Sequence, residues 1–94
     1  MLSDDQITAY RKLVGSWITQ LRIEKGLSKN QLSKLTGIDR KYLNDIESGN
    51  HSFSIDIIAK LSHALSFFIF FVPKDSNDPL AKAMKERWGK MKDN

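Results

Sequence analysis

Small polar caps and glycines recur along the first 65 residues at helix-sized intervals, and this punctuation constrains the chain more than any other feature. Ser3 is followed three positions later by Gln6, and Ser28 by Gln31. In that spacing the serine hydroxyl and the glutamine amide each satisfy a free amide at a helix start. Asp39 and Ser54 stand as single caps before two further apolar-periodic runs. Gly26, Gly37 and the pair Ser48-Gly49 supply left-handed stops. The first run places Ile7, Tyr10, Val14, Trp17, Ile18 and Leu21 on one face, and the fourth turns Ile57, Ile58, Leu61 and Leu65 inward. Gly15 lies inside the first run, where glycine costs about 1 kcal/mol relative to alanine, which leaves room for a kink or break. A mainly α domain of four to five short helices follows.

After Leu65 the pattern changes. Phe67, Phe68, Ile69, Phe70, Phe71 and Val72 are β-branched or aromatic throughout and end at Pro73, the composition of a strand. A lone strand cannot satisfy its backbone hydrogen bonds, and one apolar on both faces would aggregate as a free edge. Pairing with the same strand of a second chain about a two-fold axis resolves both problems. A fifth core helix, or an extended segment folded over the domain's own core, are the alternatives. Residues 74–78 form a polar linker, and Asp78-Pro79 opens a last helix with Leu80, Met84, Trp88 and Met91 on one side. The expected organisation is a helix-turn-helix domain over 1–65, a dimerisation strand over 66–73, and a linker with an amphipathic helix over 74–94. That last apolar face suits either packing within its own dimer or entry into a groove on a partner protein.

Composition narrows the function classes by exclusion. The chain has no cysteine, so disulfides, thiolate metal sites and a cysteine nucleophile are ruled out. His51 and His63 are its two histidines and share no metal-ligand spacing. No phosphate-cradling glycine loop, nucleophile elbow or acid pair is visible, so neither an enzyme, a metal nor a cofactor is expected. The longest apolar run is far short of a membrane span, and the acidic start Met1-Leu2-Ser3-Asp4-Asp5 does not read as a secretory leader. A cytoplasmic protein is the default expectation. A net charge of +4 over 94 residues is basic but modest. Any nucleic-acid contact must therefore come from placement of side chains and not from bulk charge.

The segment from Leu27 to Gly49 supplies such placement. Leu32, Ile38, Leu43 and Ile46 are spaced to pack two short helices together, with Gly37 in the turn and Ser33 as the small residue where they touch. Two helices so joined can lay the second one in a DNA major groove. From Leu21-Arg22-Ile23-Glu24-Lys25-Gly26-Leu27-Ser28 through Ile46-Glu47-Ser48-Gly49 to Leu61-Ser62-His63-Ala64-Leu65, the chain resembles the phage-repressor-like, or Xre-type, DNA-binding domain. The resemblance covers a little over half the chain and implies a lambda-repressor-like domain that binds operator DNA as a dimer. It departs from the family pattern at Ser33, usually alanine, and at Lys29, usually glutamine.

Carried over position by position, the resemblance implies a recognition helix from Arg40 to Glu47. Arg40, Lys41 and Asn44 would contact bases, since Arg or Lys can read guanine and Asn can read adenine bidentately. Lys29, Asn30, Tyr42, Asn50 and His51 would contact the sugar–phosphate backbone. Arg22 and Glu47 match a charged pair that ties the first helix to the end of the recognition helix. The function implied is a dimeric repressor on a palindromic operator. The strand after the fourth helix also resembles the architecture of HipB-type antitoxins, which adds the alternative of an antitoxin that binds a toxin protein and autoregulates its operon. An adaptor with a vestigial helix-turn-helix is the third reading.

Overall fold

The computed structural model describes residues 1–69 and 77–92, which form five α-helices and, among the described residues, no strand. Helix α1 runs from Asp4 to Glu24, α2 from Lys29 to Thr36, α3 from Arg40 to Ser48, α4 from Ile55 to Leu65 and α5 from Pro79 to Lys92. The starts follow the caps. In the box before α1, Gln6 N–H donates to Ser3 Oγ at 3.2 Å and Ser3 N–H to Gln6 Oε1 at 2.8 Å. The same reciprocal pair joins Ser28 and Gln31 at 3.1 and 2.8 Å. Asp39 caps α3 through the amides of Lys41 and Tyr42, and Ser54 caps α4 through Ile57. Gly37 and Gly49 end α2 and α3 with φ of 74° and 77°, a conformation that costs glycine little.

Helix α1 is unbroken through Gly15. The break that Gly15 left room for does not occur, and the missing side chain serves a different need. A Cβ built on Gly15 would lie 2.6 Å from the Glu47 carbonyl oxygen, 2.9 Å from its carbon, and closer still to the Ile46 oxygen. The bare position lets the C-terminal end of α3 cross directly over α1. The buried face of α1 shifts accordingly: Leu13, Gly15 and Ile18 are buried, whereas Ile7 is exposed.

The core sits among α1 to α4, formed by Ile18, Leu32, Ile38, Leu43, Ile46, Leu61 and Leu65, with Val14, Leu21, Phe53, Ile58 and Phe67 half-buried against it. Each core leucine or isoleucine contributes about 1.5–3 kcal/mol relative to exposure, so these seven side chains fix how α2 and α3 sit against their supports.

The chain after α4 corrects the strand expectation for its described part. Ser66 adopts the left-handed conformation at φ 58°, and the Phe67 amide donates back to Ser62 O at 3.1 Å. This closing turn, with its usual apolar contact, folds Phe67 over the domain's own core. Residues 67–69 have no regular structure; Phe68 is 93% exposed and Ile69 is exposed as well. Phe70, Phe71 and Val72 of the expected strand lie outside the described residues.

Helix α5 lies back on α1 of its own chain. Ala81 is buried, and the Arg87 guanidinium stands 5.7 Å from the Trp17 ring centroid while donating to Gln20 Oε1 at 3.3 Å. A cation over an indole face is attractive by about 0.5–1 kcal/mol at an exposed site. Of the expected apolar stripe, Met84 is exposed, and the side chains of Leu80, Trp88 and Met91 lie outside the described residues. No described helix is long and apolar enough to cross a membrane.

Candidate nucleic-acid interface

Three local devices hold α2 and α3 as a unit. Leu32, Leu43 and Ile46 are fully buried and Ile38 nearly so. Across the turn, Ser33 Oγ donates to the Ile38 carbonyl, while Thr36 Oγ1 donates to Leu32 O at 2.8 Å and accepts from the Ile38 amide at 3.2 Å. Serine is therefore more than a small residue at this contact, since its hydroxyl satisfies a turn carbonyl that alanine would leave to water.

The far end of α3 is fastened to α1. Arg22 Nε lies 3.0 Å from Glu47 Oε2 and Nη2 lies 3.0 Å from Oε1, a fork on fork, with the side chains only 12% and 4% exposed. Thr19 Oγ1 donates to the same carboxylate at 2.7 Å, and Arg22 Nη1 donates to Leu27 O at 2.9 Å. Planar bidentate pairs of this kind are stronger than single bonds. Thr19 went unread in the sequence, although it precedes Arg22 by three positions and so shares its helix face. The Gly15 crossing went unread for want of any local signal.

With its underside fixed, α3 turns Arg40, Lys41 and Asn44 outward, all exposed and lining one shallow depression. Lys29, in the first turn of α2, reaches the same surface: its Nζ donates to Asn44 Oδ1 at 2.6 Å. Asp39, the acidic residue at the start of α3, is engaged by the helix amides. Tyr42 and His51 form a second group at the loop after α3, with ring centroids 5.0 Å apart. The Tyr42 hydroxyl donates to Ser52 O at 3.0 Å, and His51 Nδ1 lies 2.6 Å from that same oxygen. Asn30 and Asn50 are exposed on either side of the motif. Arg40, Lys41, Asn44 and Lys29 thus converge, whereas Tyr42 and His51 stand together as a separate pair. Among the described residues no three His, Cys, Asp or Glu side chains are grouped to hold a metal.

Comparison with known proteins places this geometry in context. A family model described as helix-turn-helix matches residues 18–66. An uncharacterized HTH-type transcriptional regulator of Sinorhizobium fredii, y4dJ, is 36% identical over 55 residues, covering 58% of this chain and 71% of the relative. Control protein C.BamHI of Bacillus amyloliquefaciens is 36% identical over 69 residues, or 72% of this chain and 80% of the relative. The crystal structure of the restriction-modification controller protein C.AhdI from Aeromonas hydrophila aligns with a TM-score of 0.62 at 37% identity, over 64% of this chain and 91% of that one.

Proposed function

The chain belongs to the helix-turn-helix family of DNA-binding transcriptional regulators, and from that premise we propose that it is a sequence-specific dimeric regulator of the controller type, reading a pseudo-palindromic operator through α3. The observation that carries this reading is the division of α3 into a locked underside and an outward face of Arg40, Lys41 and Asn44. Arg40, Lys41 and Asn44 reach base edges. Asn30, Asn50 and the Tyr42–His51 pair set the height of the helix against the phosphates. Regulator and controller names among the relatives favour this reading over the toxin-binding and adaptor alternatives. Repression by promoter occlusion is the simplest action of a bound dimer, and a promoter–reporter assay reads its direction.

Selection of sites from a random double-stranded DNA pool tests the proposal. The expected product is an inverted repeat with half-sites about one helical turn apart. Arg40→Ala relaxes one base pair in each half-site at a cost of about 1–3 kcal/mol. Weak binding without sequence preference, lost as salt rises, would support the adaptor reading instead.

The dimer contact includes Phe68 and Ile69, large apolar side chains exposed beside each other at the end of the α1–α4 unit. Burying a phenylalanine is worth about 1.5–3 kcal/mol per copy. Phe68→Asp accordingly weakens self-association at least about tenfold in sedimentation equilibrium while leaving the helical circular dichroism spectrum intact. An unchanged dimer constant would remove this segment from the interface.

A further inference from the structure

The bond between Lys29 and Asn44 changes what α3 can read. An ammonium carries donors only, so the amide atom facing it must be the oxygen of Asn44. At 2.6 Å between Nζ and Oδ1 the contact is short even for a charge-assisted bond, and it joins α2 to α3 on the exposed face of the motif. A free asparagine reads adenine by accepting from N6–H and donating to N7. Here one lone pair of the oxygen is taken by a positively charged donor, whereas Nδ2 keeps both of its donors for a base. An adenine amino group brought to this position would have to share that oxygen with the ammonium, beside a full positive charge. Guanine presents two adjacent acceptors, N7 and O6, on the same edge. The surroundings agree: Arg40 and Lys41, which line the depression with Asn44, also carry donors only.

We infer that Lys29 is a specificity-determining residue that commits Asn44 to donate, so that the base pair read by Asn44 presents guanine, not adenine. The inference rests on the proposed reading of α3 as the operator-contacting helix. Lys29 acts through Asn44 and is in this sense a positioning residue, distinct from a plain phosphate contact.

The test is site selection with the full chain and with the Asn44→Ala, Lys29→Met and Lys29→Arg variants, each checked for an unchanged circular dichroism spectrum. The column that Asn44→Ala flattens identifies the base in question. In the parent that column favours guanine over adenine by about tenfold. Lys29→Met, which keeps the stem and removes the donor, shifts the column toward adenine. Lys29→Arg, which retains a donor for Asn44 Oδ1, keeps guanine. If Lys29→Met instead weakens all sequences alike, lowers the salt dependence by about one ion and leaves the column untouched, Lys29 is a phosphate contact and the inference is overturned. Adenine in the parent's column overturns it as well. Absence of any enriched site for the parent would overturn the operator reading itself, and this inference with it.

Discussion

Replacing Gly15 by alanine is expected to lower the melting temperature by about 8–16 °C, against the prediction of helix propensity. Alanine in a helix interior is about 1 kcal/mol better than glycine, so a position that merely tolerated glycine would be stabilised. At Gly15 the added methyl would meet the backbone of Ile46 and Glu47, at 2.6 Å from one carbonyl oxygen and nearer to another. Neither atom belongs to a flexible side chain that can swing away. The two helices must separate, and overpacking of this kind costs about 1–3 kcal/mol or more. Separation at this crossing also lengthens the Arg22–Glu47 contact, so the upper end of that range applies and outweighs the propensity gain. For a domain of this size each kcal/mol moves the midpoint by about 4–8 °C. Thermal unfolding followed by circular dichroism gives the answer directly. A midpoint that rises would mean that α1 and α3 do not approach as closely as the carbonyl distances require.

The second large effect is expected at the fork between α1 and α3. Arg22→Ala leaves the Glu47 carboxylate, 4% exposed in the intact pair, with the Thr19 hydroxyl still donating to it. Breaking one side of a buried pair costs about 3–5 kcal/mol, chiefly because the surviving charge is stranded away from water. It is a large fraction of the total stability of a small domain, typically about 5–15 kcal/mol. The double variant Arg22→Met with Glu47→Leu separates that penalty from the net worth of the pair. Well-packed apolar replacements of buried ion pairs are often neutral or stabilising, so the double variant is expected to recover most of the loss in urea denaturation. If the single and double variants lose stability equally, the pair contributes its full strength to folding, and the stranded-charge account fails.

These two positions show where sequence reading reaches and where it stops. The helix starts at Ser3, Ser28, Asp39 and Ser54 were legible because a cap and its target lie within three residues. The turn at Gly37 was legible for the same reason. The function of Gly15 depends on which backbone crosses it, and that backbone lies more than thirty residues away in the chain. The turn after α4 gave no signal because a serine, Ser66, takes the left-handed conformation that usually announces itself as glycine. A run of six apolar β-formers therefore read as a strand, although its first member is drawn onto the core by that turn. At the candidate interface, the convergence of Arg40, Lys41 and Asn44 follows from their spacing on one helix. The reach of Lys29 to Asn44 depends on how α2 lies across α3, and a pattern confined to either helix cannot reveal it.

Helix α3 is nine residues long, and its inner positions are the ones that hold the fold: Leu43, Ile46 and Glu47 are buried, whereas Arg40, Lys41 and Asn44 are not. Surface substitutions that touch no such anchor usually change stability by less than about 0.5 kcal/mol. If α3 reads an operator as proposed, a descendant of this protein could exchange one target sequence for another by single steps, with no poorly folded ancestor in between. The frame and the message it carries are free to diverge at different rates.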